Sequence, residues 1–123
     1  MRILDIPQTQ WASFFDMLND RAAGRPVRLE VVARNFGDQE MSQHLSLRAI
    51  DFEPNAAEGG DVVIALGDDS AQLTRFIERP MRMAVGLSDG ADPEWLCLLE
   101  ANGGATIVYF EHLMAIEAGY FAP

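Results

Sequence analysis

Trp11, Phe14, Phe15, Leu18 and Ala22 recur at i, i+3, i+4, i+7 and i+11, the single stripe of an amphipathic helix. Thr9 is placed to cap its start, Gly24 to end it and Pro26 to prevent its resumption, so the pattern predicts a helix over about residues 9–23. Three aromatic side chains on one stripe call for a core to dock on.

From Val27 the period changes to two. Val27, Leu29, Val31 and Ala33 alternate with Arg28, Glu30 and Arg34, the pattern of a half-buried strand, and Asn35-Phe36-Gly37-Asp38 reads as a turn. A second strand is expected from about Gln43 to Phe52. Leu45 and Leu47 set one phase and Ile50 and Phe52 the other, so a bulge is expected near Arg48-Ala49. After a loop from Pro54 to Gly60, residues 61–66 form an apolar third strand. Gly67-Asp68-Asp69-Ser70 ends it. Asp69 or Ser70 is then placed to cap a short helix carrying Leu73, Phe76 and Ile77, which Pro80 closes. Met81, Met83, Val85 and Leu87 mark a fourth strand, followed by a loop over 88–93. Residues 95–100 and 105–110 are the last two strands, joined around Asn102-Gly103, whose residues tolerate positive φ.

The order is helix, three strands, short helix, three strands, with no internal repeat or linker, so residues 1–123 read as one domain. Short connections favour antiparallel neighbours. The expected fold is α+β: a strongly bent antiparallel sheet or small, partly open β-barrel of about six strands, spanning about 27–110, with the first helix covering it.

The landmarks that carry a family resemblance are spread over most of the chain. They are Ile6-Pro7, Trp11, Phe14-Phe15, Gly24, Val27, residues 29–32, Leu45, Leu47 and Ile50. The densest part is residues 63–68, followed by Leu73-Thr74, Ile77, Pro80, Arg82, Gly103, Thr106 and Phe110. In this order and spacing the chain resembles the small bacterial domain-of-unknown-function family 5335. The resemblance implies a bacterial cytoplasmic origin and the same fold, and it carries no assigned activity. The segment after Glu111 lies outside the part that matches.

Charge narrows the function. Nine arginines and no lysine stand against 19 acidic residues, a net charge of −10. So acidic a chain is unsuited to phosphate backbones, which are bound by neutralising cations, and to anionic membranes. Without lysine there is no Schiff-base lysine and no phosphate-loop lysine. No apolar stretch approaches the roughly 20 residues of a membrane helix, and the N-terminus lacks the form of a signal peptide. A single cysteine, Cys97, excludes an intrachain disulfide and fits a reducing cytoplasm.

Little catalytic chemistry is visible. His44, His112 and Cys97 show no metal-ligand spacing, and Cys97 sits in an apolar run where a packing role is expected, so neither a metal nor a cofactor is predicted. Asp69 followed by Gln72 fits a capping box better than a cation site. In a six-strand meander, Glu53, Glu58 and Asp61 would share a rim with Asp89, Asp92 and Glu94, which reads chiefly as a solvated acidic edge. No catalytic residue is assigned; Asp68, Asp69 and His112 are the only enzymatic candidates, with nothing to bring them together.

The apolar tail over 111–123 is a different matter. Leu113, Met114, Ile116, Tyr120 and Phe121 need cover, either from the open end of the sheet or from a second subunit across a two-fold axis. The expectation is a non-enzymatic interaction or assembly module, a homodimer or the binder of a protein partner, with those five residues at its interface. The alternative is a small-ligand-binding β-barrel lined by Trp11, Trp95 and Tyr109.

Overall fold

The computed structural model describes residues 1–33, 37–55 and 59–111. Among these, β1 (Arg2–Asp5) leads through a 3-10 turn (Gln8–Gln10) into α1 (Trp11–Ala22). Then come β2 (Pro26–Ala33), β3 (Gly37–Asn55), β4 (Gly59–Gly67), β5 (Gln72–Ile77), β6 (Arg82–Leu87), β7 (Pro93–Leu99) and β8 (Ala105–Phe110). The eight strands form one open sheet in the order β1-β6-β7-β8-β2-β3-β4-β5, antiparallel at every step. Two meanders, β2 to β5 and β6 to β8, are thus joined where β8 lies beside β2.

Two departures from the six-strand expectation are physical in origin. β1 is an added edge strand whose four residues are all exposed, so no buried face betrays it. The expected short helix is instead the strand β5. Leu73 and Ile77 turn inward and Thr74 and Phe76 outward, with Arg75 at the inward position between them. Gly67, at φ +102°, and the Asp68 carboxylate turn the chain back into a hairpin with β4.

The bulge expected near Arg48-Ala49 is present as a register shift between Leu47 and Ala49. It marks a change of partner. The first half of β3, to Ser46, pairs with β2, and the second half, from Leu47, pairs with β4 on its other edge. Beyond Ser46 the β2 side of β3 has lost its strand, and the end of α1 takes that place. Gly24 N donates to Leu47 O at 2.8 Å and Leu47 N to Arg25 O at 2.9 Å. One turn earlier, Asn19 Nδ2 donates to Ile50 O at 2.9 Å, and Ile50 N donates to Asn19 Oδ1 at 2.8 Å. The Leu47 and Ile50 backbone groups freed by the switch are thereby satisfied.

α1 buries Trp11, Phe15, Leu18 and Ala22 against the inner face of the sheet, as its stripe predicts. Thr9 is not its cap: it lies in the 3-10 turn, and Gln10 holds the cap position without a side-chain bond. The inner face contributes Val27, Leu29, Leu47, Ile50, Ile64, Leu66, Val85, Leu96, Leu98 and Val108 to one continuous core. The sheet curls around that core. β5 and β8 are four places apart in the strand order, roughly 19 Å in a flat sheet. Yet Arg75 of β5 reaches Thr106 of β8 at 3.3 Å, across the inner side.

Candidate functional site

The outer face of β7 and β8 carries an apolar hollow. Strand alternation sends Leu96, Leu98 and Val108 into the core and leaves Trp95, Cys97, Ile107 and Tyr109 on the opposite face, all partly exposed. Register sets them side by side, with Trp95 opposite Tyr109 and Cys97 opposite Ile107. Together they line a depression of about 280 Å³. Trp95 also faces Gly86 across β6, where a Cβ would run into the indole, so the ring lies close over the β6 backbone. On the other side the Arg28 guanidinium sits 4.2 Å from the centre of the Tyr109 ring and bonds Glu30 at 2.7 Å.

Trp95 and Tyr109 are therefore neighbours, as a binding role would need. Trp11 is not with them. It is buried, donates Nε1–H to Ile6 O at 2.8 Å and meets the Phe52 ring edge-on at 5.6 Å. It is a core residue. Around Trp11 the inner side of the curled sheet is filled by core side chains. Cys97 also departs from expectation, since it faces outward in the hollow and is not in the core. Partial burial pushes its thiol up from its ordinary range, so it stays protonated at neutral pH.

A second group lies inside the curl. Arg75 donates Nε–H to Thr106 Oγ1 at 3.3 Å and Nη2–H to Glu100 Oε1 at 3.0 Å. The Thr106 hydroxyl donates to Glu100 Oε2 at 3.0 Å, which closes a ring of three bonds. Thr106 is fully buried, while the side chains of Arg75 and Glu100 keep 24% and 11% exposure. The ring borders a cavity of about 430 Å³ between β5 and the β7–β8 turn, lined also by Phe76, Glu78, Arg79, Ala101 and Asn102. Sequence reasoning misses this group because Arg75 falls within the expected helix. The usable signal is Leu73-x-Arg75-x-Ile77, an alternation interrupted only by the charge.

The remaining candidates are dispersed. Asp68 accepts bonds from Ser70 Oγ at 2.6 Å, Ser70 N at 2.8 Å and Ala71 N at 3.2 Å. Those donors, the Ser70 hydroxyl first, hold its carboxyl below the ordinary 3.8. This is a turn, and the expected capping box is absent because Gln72 begins β5. The two acidic loops do lie at the same end of the sheet. However, the β3–β4 hairpin is four strand spacings from the β6–β7 hairpin, and Asp61 accepts from Arg79 N at 3.0 Å. Among the described residues no three His, Cys, Asp or Glu side chains gather as metal ligands. His44 stands on β3. Glu58, His112, Leu113, Met114, Ile116, Tyr120 and Phe121 lie outside the described residues.

Among the described residues no helix is long and apolar enough to cross a membrane. No curated protein and no solved structure matches the chain. A family match exists, and it extends past Phe110, where the sequence landmarks end, into the apolar tail. The model of a family of unknown function, DUF5335, matches residues 2–118, nearly the whole chain, and the protein belongs to that family.

Proposed function

We propose that this domain is a non-enzymatic assembly module that pairs with a second copy of itself through the outer face of β7 and β8. The observation that carries the reading is the hollow formed by Trp95, Cys97, Ile107 and Tyr109, with Arg28 stacked on the tyrosine. Tryptophan, tyrosine and arginine around an apolar centre, with charge at the border, is the usual composition of an interface anchor. Two copies of a chain with net charge −10 repel one another over most of their surface. Self-association therefore needs an uncharged contact with both signs at its edge, and the Arg28–Glu30 pair supplies that edge. The chain leaves β8 at Phe110, next to Tyr109, and the sequence beyond it carries Leu113, Met114, Ile116, Tyr120 and Phe121, apolar residues that call for cover of the kind a second copy gives. The lone cysteine accords with a cytoplasmic setting.

Native mass spectrometry of the intact chain tests the reading, alongside an Ile107→Arg variant whose folding is checked by circular dichroism. A native dimer and a folded monomeric variant are expected. A native monomer, or a variant that still dimerises, overturns it. A monomer that retains a small molecule would favour the ligand-binding alternative instead.

A further inference from the structure

The Arg75 guanidinium is in an unusual setting for an arginine. It occupies an inward position of β5, flanked by Leu73 and Ile77, where the alternation calls for an apolar side chain. Its Nε and Nη2 are engaged by Thr106 and Glu100. A guanidinium has five N–H donors in a fixed plane, so two hydrogen bonds leave three donors over. Among the described residues Nη1 makes no hydrogen bond. The Nη1–Nη2 edge, a two-pronged donor, is therefore left over on a group that lines the 430 Å³ cavity. The other partners are fixed in place: the buried Thr106 hydroxyl orients Glu100, and both hold the guanidinium plane. A preorganised planar fork on the lining of an open pocket of ligand size is a recognition element for a planar two-oxygen anion.

We propose that this cavity binds a small organic monocarboxylate, its two oxygens bonded to the Nη1–Nη2 edge of Arg75. Charge selects within the anions. Glu78 and Glu100 line the same cavity as Arg75 and Arg79, and the chain as a whole is strongly acidic. A single delocalised negative charge is tolerated there, whereas a phosphate dianion is repelled more strongly by the two carboxylates on the same lining. Asn102 adds a polar group to the rim. Its Oδ1 accepts from Gly104 N at 2.8 Å, which leaves its amide N–H groups as donors. The hollow on the outer face plays no part in this site.

The test is a titration of the isotope-labelled intact chain with sodium benzoate, followed by the Arg75 Nε–Hε resonance and the backbone amides of Phe76 and Asn102. Saturable shifts at these positions are expected. Benzyl alcohol, with the same ring and no charge, should leave them unmoved, and inorganic phosphate should bind more weakly than benzoate. Arg75→Lys, which keeps the charge and loses the planar fork, should weaken benzoate binding by about tenfold or more. Glu100→Gln, which keeps the shape and removes the competing charge, should strengthen it. The opposite directions of the two variants separate a ligand site from a purely structural ion pair. Absence of saturable benzoate shifts, equal binding of benzyl alcohol or phosphate, or weaker binding by Glu100→Gln would each overturn the proposal.

Discussion

Arg75 Nε lies 3.3 Å from Thr106 Oγ1, although β5 and β8 stand four places apart in the strand order. The bond spans the inner side of the curl. It joins the edge strand of one meander to the third strand of the other, and Glu100 bridges both ends. Being directional, it specifies how tightly the sheet closes, which the apolar contacts around it do not.

Thr106→Val isolates that role. Valine has nearly the same shape and suits a strand, so packing is retained while the hydroxyl is lost. The Arg75 Nε–H and Glu100 Oε2 then each lose a partner in a half-buried site. The expected cost is about 1–3 kcal/mol, read as a lower urea midpoint with an unchanged slope. A variant as stable as the native protein would show that the network contributes nothing to closure.

Asn19 makes the corresponding link between helix and sheet. Its side-chain amide bonds both backbone groups of Ile50, at 2.9 Å and 2.8 Å, where β3 has left β2. A primary amide presents a donor and an acceptor side by side, and the other residue that carries one, glutamine, is one methylene longer. Asn19→Ala raises helix propensity by a few tenths of a kcal/mol and strands two backbone groups, so a net loss of about 1–3 kcal/mol is expected. Hydrogen exchange should localise it, with the Ile50 amide losing protection ahead of its neighbours on β4. Unchanged protection at Ile50 would count against the clamp.

What could be read from the sequence divides along the same line between local and distant causes. α1 was legible because four of its stripe residues are buried, and the bulge after Leu47 because the hydrophobic phase slips there. The Asn102-Gly103 turn was legible because Gly103 needs φ +89°. β5 was not, because Leu73, Phe76 and Ile77 mimic helical spacing while the inward position between them holds Arg75. Its partners, Glu100 and Thr106, lie 25 and 31 residues away. β1 was hidden because it pairs with β6 some eighty residues on and buries nothing. Of the three aromatic residues expected to line a site, Trp95 and Tyr109 meet by cross-strand register, whereas Trp11 belongs to the core. Composition alone cannot separate those two uses of tryptophan.

The Asp68 turn makes a prediction about pH. Its carboxyl is held below 3.8 by the Ser70 hydroxyl and by the Ser70 and Ala71 backbone N–H groups. A carboxyl whose pKa is depressed on folding adds stability at pH values above its unfolded value and loses that contribution as pH falls through the folded one. Asp68→Asn keeps an acceptor oxygen but not the charge. It should be less stable than the native protein at neutral pH, and the gap should narrow as pH is taken below 3.8. Urea denaturation at a series of pH values measures the gap. A gap of constant size would show that the charge is not what the turn uses.

The contact between Trp95 and Gly86 offers a direct probe of the outer face. Glycine at 86 leaves the indole room to lie over the β6 backbone, and a Cβ there would run into the ring. Gly86 has no positive φ, so alanine suits its backbone and any effect reports the lost space. Gly86→Ala should lift the indole away from β6, at a cost of about 1–3 kcal/mol from the forced side-chain shift. Trp11 is buried in the core, so its emission serves as an internal constant, while that of Trp95 should shift to the red and become easier to quench with acrylamide. Since Trp95 lines the proposed contact, the same variant should weaken self-association while leaving the fold intact. An unaltered emission spectrum would mean that the ring does not rest on Gly86. A shifted spectrum with undiminished association would remove Trp95 from the contact.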